Sequence, residues 1–156
     1  MNNSDLDNLL KSLAGFKHMA VHTTIGELAM HEVVEQLKEK LSEYPNIMFA
    51  LLFGSHAKAC QRASSDLDIA LFFKQPLSGL DLLYLINELS DYTKKEVDLV
   101  VLNSASAFLR HQVMKHSVRL LIQDMIIYRK FREQTITDYN TYKFVSGMDR
   151  YDKQVL

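Results

Sequence analysis

Two runs of seven residues, Ile47 to Phe53 and Leu67 to Phe73, constrain this chain more than any other feature. Both are short and almost wholly apolar, with Asp68 the one charge, and they have the length of strands buried on both faces. The connection between them holds thirteen residues and turns polar from His56 to Ser65, which reads as too close a joint for a crossover helix. Whatever else the chain does, it builds a sheet around this pair.

Helical patterns surround the pair. From about Thr24 to Glu43, Ile25, Leu28, Ala29, Val33, Val34, Leu37 and Leu41 share a face, and Pro45 with Asn46 ends the segment. Ser78 is placed to cap a helix to about Tyr92 with Leu82, Leu83, Leu85, Ile86 and Leu89 supplying its apolar face. A third strand is read at Val97 to Leu102, followed by a helix capped at Asn103 or Ser104 and running to about His116. An edge strand is read at Val118 to Ile122, and a last helix begins at Asp124. The stretch from Thr137 onward holds Tyr139, Tyr142, Phe144 and Tyr151 without clean periodicity. Its aromatic side chains either pack on the sheet or dock a partner. Near the start, Ser4 caps a small amphipathic helix with Leu6, Leu9, Leu10 and Leu13 inward and Gly15 at its end. The expected division is an extension over 1–23 and a single domain over 24–156. The fold class is α/β (α+β), a small sheet with flanking helices.

Composition narrows the function. With 156 residues the chain can bury roughly 70% of its unfolded surface and needs no staple. A single cysteine, Cys60, forms no internal disulfide, and the first ten residues carry acids where a secretory signal carries basic charge, so a cytoplasmic location is expected. No apolar run approaches the roughly 20 residues of a membrane span. Eighteen basic against nineteen acidic residues give a net charge of -1, which argues against long nucleic acid as a partner.

The chemistry gathers in FGSHAKACQRASSDLDIALFF, residues 53–73. A strand ends in Gly54-Ser55, where a small residue lets the backbone approach an anion and a hydroxyl can meet phosphate oxygen. Ten residues later Asp66 and Asp68 occupy alternate positions, so both carboxylates face one way, about 7 Å apart along the strand. Asp98, in EVDLVV, joins them if its strand is a neighbour; Glu96 on the same strand face is the alternative third acid. Three carboxylates suit Mg²⁺, which takes oxygen ligands and shares them with substrate phosphates. Two such ions clamp an in-line displacement, with Asp98 placed to bind the nucleophile-side ion or accept the hydroxyl proton. A Walker-type loop is missing.

Gly54-Ser55, ten residues, Asp66-Leu67-Asp68, and thirty residues on Val97-Asp98-Leu99 resemble the minimal nucleotidyltransferase family of the DNA-polymerase-β-like superfamily. The resemblance spans roughly residues 25–130. It implies a mixed sheet, ATP with Mg²⁺ (two ions with ATP bound), catalysis and metal ligation by Asp66, Asp68 and Asp98, and nucleotide contacts from Gly54, Ser55, Lys58 and Ser65. Stand-alone members of this size are typically antitoxins of HEPN-domain ribonuclease toxins, so it also implies AMP transfer to a toxin tyrosine and a hetero-oligomer with that toxin. Family members commonly read Gly-Ser-x-Ala-Arg-Gly, where this chain has Lys58 and Ala59. Lysine keeps the charge and loses the planar fork, and alanine restricts the loop. An antitoxin acting by stoichiometric binding, or a transferase for an aminoglycoside-like hydroxyl compound, are the competing readings.

Blander roles stand beside these. An isolated Asp-x-Asp is often turn chemistry, and Ser65 serves equally well as a turn cap. His18 with His22, and His111 with His116, lack the neighbouring ligands of a metal site and are read as surface or partner contacts. His56, directly after Ser55, is the histidine that could face a nucleotide.

Overall fold

The computed structural model describes residues 21–54 and 66–148, with backbone alone over 21–30. The elements are α1 (Val21–Ser42), β1 (Ile47–Phe53), β2 (Leu67–Phe73), α2 (Gly79–Thr93), β3 (Val97–Val101), α3 (Ala107–His116), β4 (Val118–Ile122) and α4 (Met125–Ser146). The compact unit that carries the sheet begins at Glu35, and the packing described below lies within it. The small leucine helix expected near the start lies outside the described residues.

The four strands run in the order β3-β2-β1-β4. β1 pairs antiparallel with both β2 and β4, and β2 pairs parallel with β3 across α2. The absence of a crossover between the two apolar runs is therefore borne out: they lie side by side and antiparallel. Their central position in the sheet explains the composition, because six of the seven β1 residues are buried.

Each face of the sheet has its own core. Phe49, Leu51, Ala70 and Leu102 pack with Val113 of α3 and with Tyr128 and Phe131 of α4, and Phe53, Phe72 and Val100 lie against this cluster. Phe49 stacks on Phe72 with centroids 5.1 Å apart and meets Tyr128 edge-on at 5.1 Å. The alternate residues Leu67, Ile69 and Leu71 are fully buried on the other face. Leu37 and Leu41 of α1 and Leu85 and Leu89 of α2, buried but outside the aromatic cluster, cover that side. Each such side chain is worth roughly 1.5–3 kcal/mol of burial. The end of α1 is tied to α2 through Lys40, which reaches Glu88 at 2.8 Å and Glu43 at 2.7 Å. The Tyr44 hydroxyl also donates to Glu88. Burial and that bond push the Tyr44 phenol up to about 12.

Two boundaries differ from expectation. α3 is capped by Ser106, whose hydroxyl accepts from Leu109 N–H at 3.2 Å, and not by Asn103 or Ser104. Asn103 is engaged elsewhere: its side chain accepts from Phe73 N–H at 2.9 Å and donates to Phe73 C=O at 2.8 Å. The stretch after Thr137 is also regular, since α4 continues to Ser146 and ends at Gly147, a left-handed cap with φ 73. Of its aromatic residues, two pack on a helix and not on the sheet, one is exposed, and Tyr151 lies outside the described residues. Tyr139 and Tyr142 meet Phe108 of α3, with centroids 6.4 and 6.1 Å away, whereas Phe144 and Val145 are 79% and 78% exposed.

Candidate active site

The sheet register brings two of the carboxylates together. Asp68 and Asp98 are direct partners in the parallel β2–β3 ladder, so their backbones stand about 4.8 Å apart and their side chains leave the same face. That face is fixed by alternation. Ala70 and Phe72 follow Asp68 into the aromatic cluster, and Val100 and Leu102 follow Asp98, so the acids occupy the polar end of an otherwise apolar surface. Asp66 sits one residue before β2, two positions from Asp68, and is exposed. Asp68 is half-buried. Asp98 is exposed, although the apolar Leu99-Val100-Val101 run after it reads as a buried edge. Glu96 lies just before β3 and spends its carbonyl on Leu67 N–H at 2.8 Å, helping to set the register of the two aspartate strands.

Gly54 completes this end of the sheet. It follows Phe53, the β1 partner of Asp68, and turns the chain with φ +74. A Cβ built on it would run into Asp68 Oδ2 and stand 2.7 Å from Asp68 Cγ. The glycine is thus required twice, by its backbone conformation and by the carboxylate packed against its Cα. The sequence suggests a glycine that makes room for an anion; the first anion it makes room for is the chain's own Asp68.

Ser55, His56, Lys58 and Ser65 lie outside the described residues. Among those described, no three His, Cys, Asp or Glu side chains already converge as a metal-ligating group. The donors nevertheless suit a hard cation. Asp68 and Asp98 present carboxylate oxygens from adjacent strands and Asp66 presents a third from the same edge, the ligand type that Mg²⁺ shares with substrate phosphates. A cation placed there would draw the exposed acids inward.

Of the histidines singled out in the sequence, His18 and the side chain of His22 lie outside the described residues. His111 is half-buried between α3 and α4, where its ring stacks on Tyr139 at 3.6 Å and 5°. Burial, and then the charges of Lys115, His116 and Lys143, hold its imidazole below the usual histidine range. On the same pair of helices Arg110 reaches Asp138 at 2.8 Å. Sequence spacing gave no sign of the His111–Tyr139 stack, because it depends on how two helices thirty residues apart align.

The polymerase beta nucleotidyltransferase family model matches residues 35–126, more than half the chain. The chain belongs to this family. It is a nucleotidyltransferase, and the mixed sheet that the resemblance implies is observed, with four strands. A Methanocaldococcus jannaschii protein provisionally named a protein adenylyltransferase is 37% identical over 73 residues, 47% of this chain and 74% of the relative. The protein adenylyltransferase MntA of Shewanella oneidensis is 30% identical over 94 residues, 60% of this chain and 66% of MntA. Among solved structures, a toxin–antitoxin complex with AMP-PNP contains a chain that superposes with a TM-score of 0.64 at 26% identity, covering 80% of this chain and 98% of that one. Among the described residues, no helix is long and apolar enough to cross a membrane.

Proposed function

We propose that this protein transfers AMP from ATP, with Mg²⁺, to a tyrosine hydroxyl of a cognate HEPN-domain ribonuclease toxin, the tyrosine oxygen bonding to the α-phosphorus as the bond to pyrophosphate breaks, and so neutralises it. The observation that carries the reading is the direct ladder pairing of Asp68 with Asp98, with Asp66 beside them and Gly54 packed on Asp68. Asp66, Asp68 and Asp98 hold the metal in this scheme. Mg²⁺ supplies Lewis acidity at the phosphate and lowers the pKa of a hydroxyl brought to it. Asp98, the outermost strand's carboxylate, is the group that receives the tyrosine proton or orients that hydroxyl. Gly54 and Ser55, with Lys58 and Ser65, hold the phosphates. The adenylyltransferase names of two relatives and the AMP-PNP of a toxin–antitoxin neighbour support the donor and the partner class.

The test is incubation of the full chain with α-labelled ATP, Mg²⁺ and the product of the adjacent gene. Label is expected on a toxin tyrosine and lost with the Asp66→Asn/Asp68→Asn double variant. Equal labelling by that variant sinks the proposal. The departures at Lys58 and Ala59 motivate a second reading, neutralisation by stoichiometric binding. Substoichiometric protein that silences the toxin only when ATP is present excludes it.

A further inference from the structure

The two edge strands of the sheet carry opposite charge, Asp98 on β3 and Arg119 on β4. Among the described residues β4 pairs only with β1, so the outward N–H and C=O groups of Val118–Ile122 form a ladder with no partner strand. Such an edge is a template for another chain. At its start Val118 is 51% exposed, an apolar side chain beside an open backbone.

β1 relates this edge to the aspartates. Phe53 is the β1 partner of Asp68, and Leu51, two residues back, is the β1 partner of Arg119. Leu51 and Phe53 both lie with the aromatic cluster, so Arg119 leaves the sheet on the same face as Asp68 and Asp98. By strand geometry it stands roughly 10 Å across the sheet from Asp68 and about 7 Å along it, a span that four or five extended residues cover. Beside Arg119 opens a groove of about 430 Å³ lined by Met114, Ser117, Val118, Arg119, Tyr128 and Arg132. Arg132 rests over the Tyr128 ring, its guanidinium carbon 5.9 Å from the centroid. Both arginines are exposed, neither forms an ion pair among the described residues, and no acid lines the groove. A chain of net charge -1 thus keeps its acids at the aspartate edge and sets two free cations beside β4.

An occupant that matches both the open ladder and the two arginines is an extended polypeptide with acidic side chains. A second copy of this chain fits poorly, because two β4 strands paired antiparallel about a two-fold axis would put both Arg119 side chains on one face, like charge beside like. A polynucleotide would use the arginines and leave the backbone ladder unmatched. β3 is the wrong edge for an acidic segment, since Asp98 repels it.

We propose that β4 and its arginine groove dock an extended, acidic segment of the protein that carries the acceptor hydroxyl. The segment adds as a fifth strand beside Val118–Ile122, and its carboxylates reach Arg119 and Arg132. This rests on the reading above for the identity of the partner and holds whether or not AMP is transferred. The test is isothermal titration calorimetry of the full chain with the product of the adjacent gene, without ATP or Mg²⁺. Binding is expected, and it should weaken as salt rises. Arg119→Glu/Arg132→Glu should bind at least tenfold more weakly with a smaller salt dependence, and should melt near the wild-type temperature because both sites are exposed. Arg119→Gln/Arg132→Gln should fall between the two. In the complex, hydrogen exchange should slow over residues 118–122 and over a partner segment of net negative charge. Undiminished affinity in the Glu variant, unchanged exchange over 118–122, protection of a basic partner segment, or no binding by the wild type overturns the docking site. Binding abolished by ribonuclease treatment of the partner assigns the groove to nucleic acid and overturns it as well. Binding that passes these tests without label transfer sinks the transfer reading and leaves the docking site standing; label transfer with undiminished binding by the Glu variant does the reverse.

Discussion

The two ends of β2 are built to opposite specifications. At its start stand Asp66 and Asp68, beside Asp98 and a left-handed glycine, with Asp66 and Asp98 open to solvent and Asp68 half-buried. At its finish Phe72 is packed among aromatic rings, Phe73 is buried, and the backbone of Phe73 is clasped on both sides by Asn103. Asn46 clasps Gln75 in the same manner, at 2.9 and 2.8 Å. One end gathers carboxylates and offers little cohesion, while the other fixes the register that sets those carboxylates side by side. A strand anchored at one end can leave exposed like charges at the other, because a slip of one residue would cost the entire apolar face.

Substitutions at each end sharpen this contrast. The largest effect is expected from Asp68→Asn, which should reduce adenylyl transfer by roughly 10²-fold or more and, as a change at the solvent edge, shift stability by only about 0.5 kcal/mol. Assays of transfer beside thermal melts decide this, and a large melting loss would place Asp68 in the scaffold instead. Phe131→Ala should do the reverse, losing about 3–5 kcal/mol in denaturant unfolding through the cavity left beside Phe49 and Phe72. Asn103→Ala breaks the two-sided clasp on Phe73 and should cost about 1–2 kcal/mol, with transfer activity retained at temperatures where the protein stays folded. Activity lost before stability would show that the far end sets the aspartate geometry directly.

The smallest expected effect is on pH dependence. Because the folded protein holds His111 below its ordinary value of 6.5, the unfolded chain binds the proton more readily, and stability should fall as pH drops through and below that value. His111→Phe, which keeps a ring against Tyr139, should flatten this slope. Melting temperatures between about pH 7 and 5 measure it, and an unchanged slope would assign the effect to other groups.

Legibility in the sequence follows the same division. The two apolar runs declared β1 and β2 because both faces of these strands are buried, and alternation alone put Asp66 and Asp68 on one side. The pairing of Asp98 with Asp68 was conditional on strand order, which no local pattern encodes. Ser106 was missed as a cap because Asn103 and Ser104 are equally good cap residues; only the long-range bond of Asn103 to Phe73 removes it from contention. The second half of α4 was illegible for a different reason. Thr137 and Thr141 return their hydroxyls to carbonyls one turn back, at 3.1 Å each, and with most side chains there exposed no apolar stripe forms. Gly54 was flagged for anion approach, but its contact with Asp68 depends on a positive φ that sequence does not display.

The pairing of Asp68 with Asp98 has a consequence for how such a protein can diversify. Their separation is written in the hydrogen bonds of a parallel ladder, and none of the flanking helices has to hold it. The surfaces of α3 and α4 can therefore change while the backbones that carry the two carboxylates keep their spacing. A chain of this design can change its clientele and keep its chemistry.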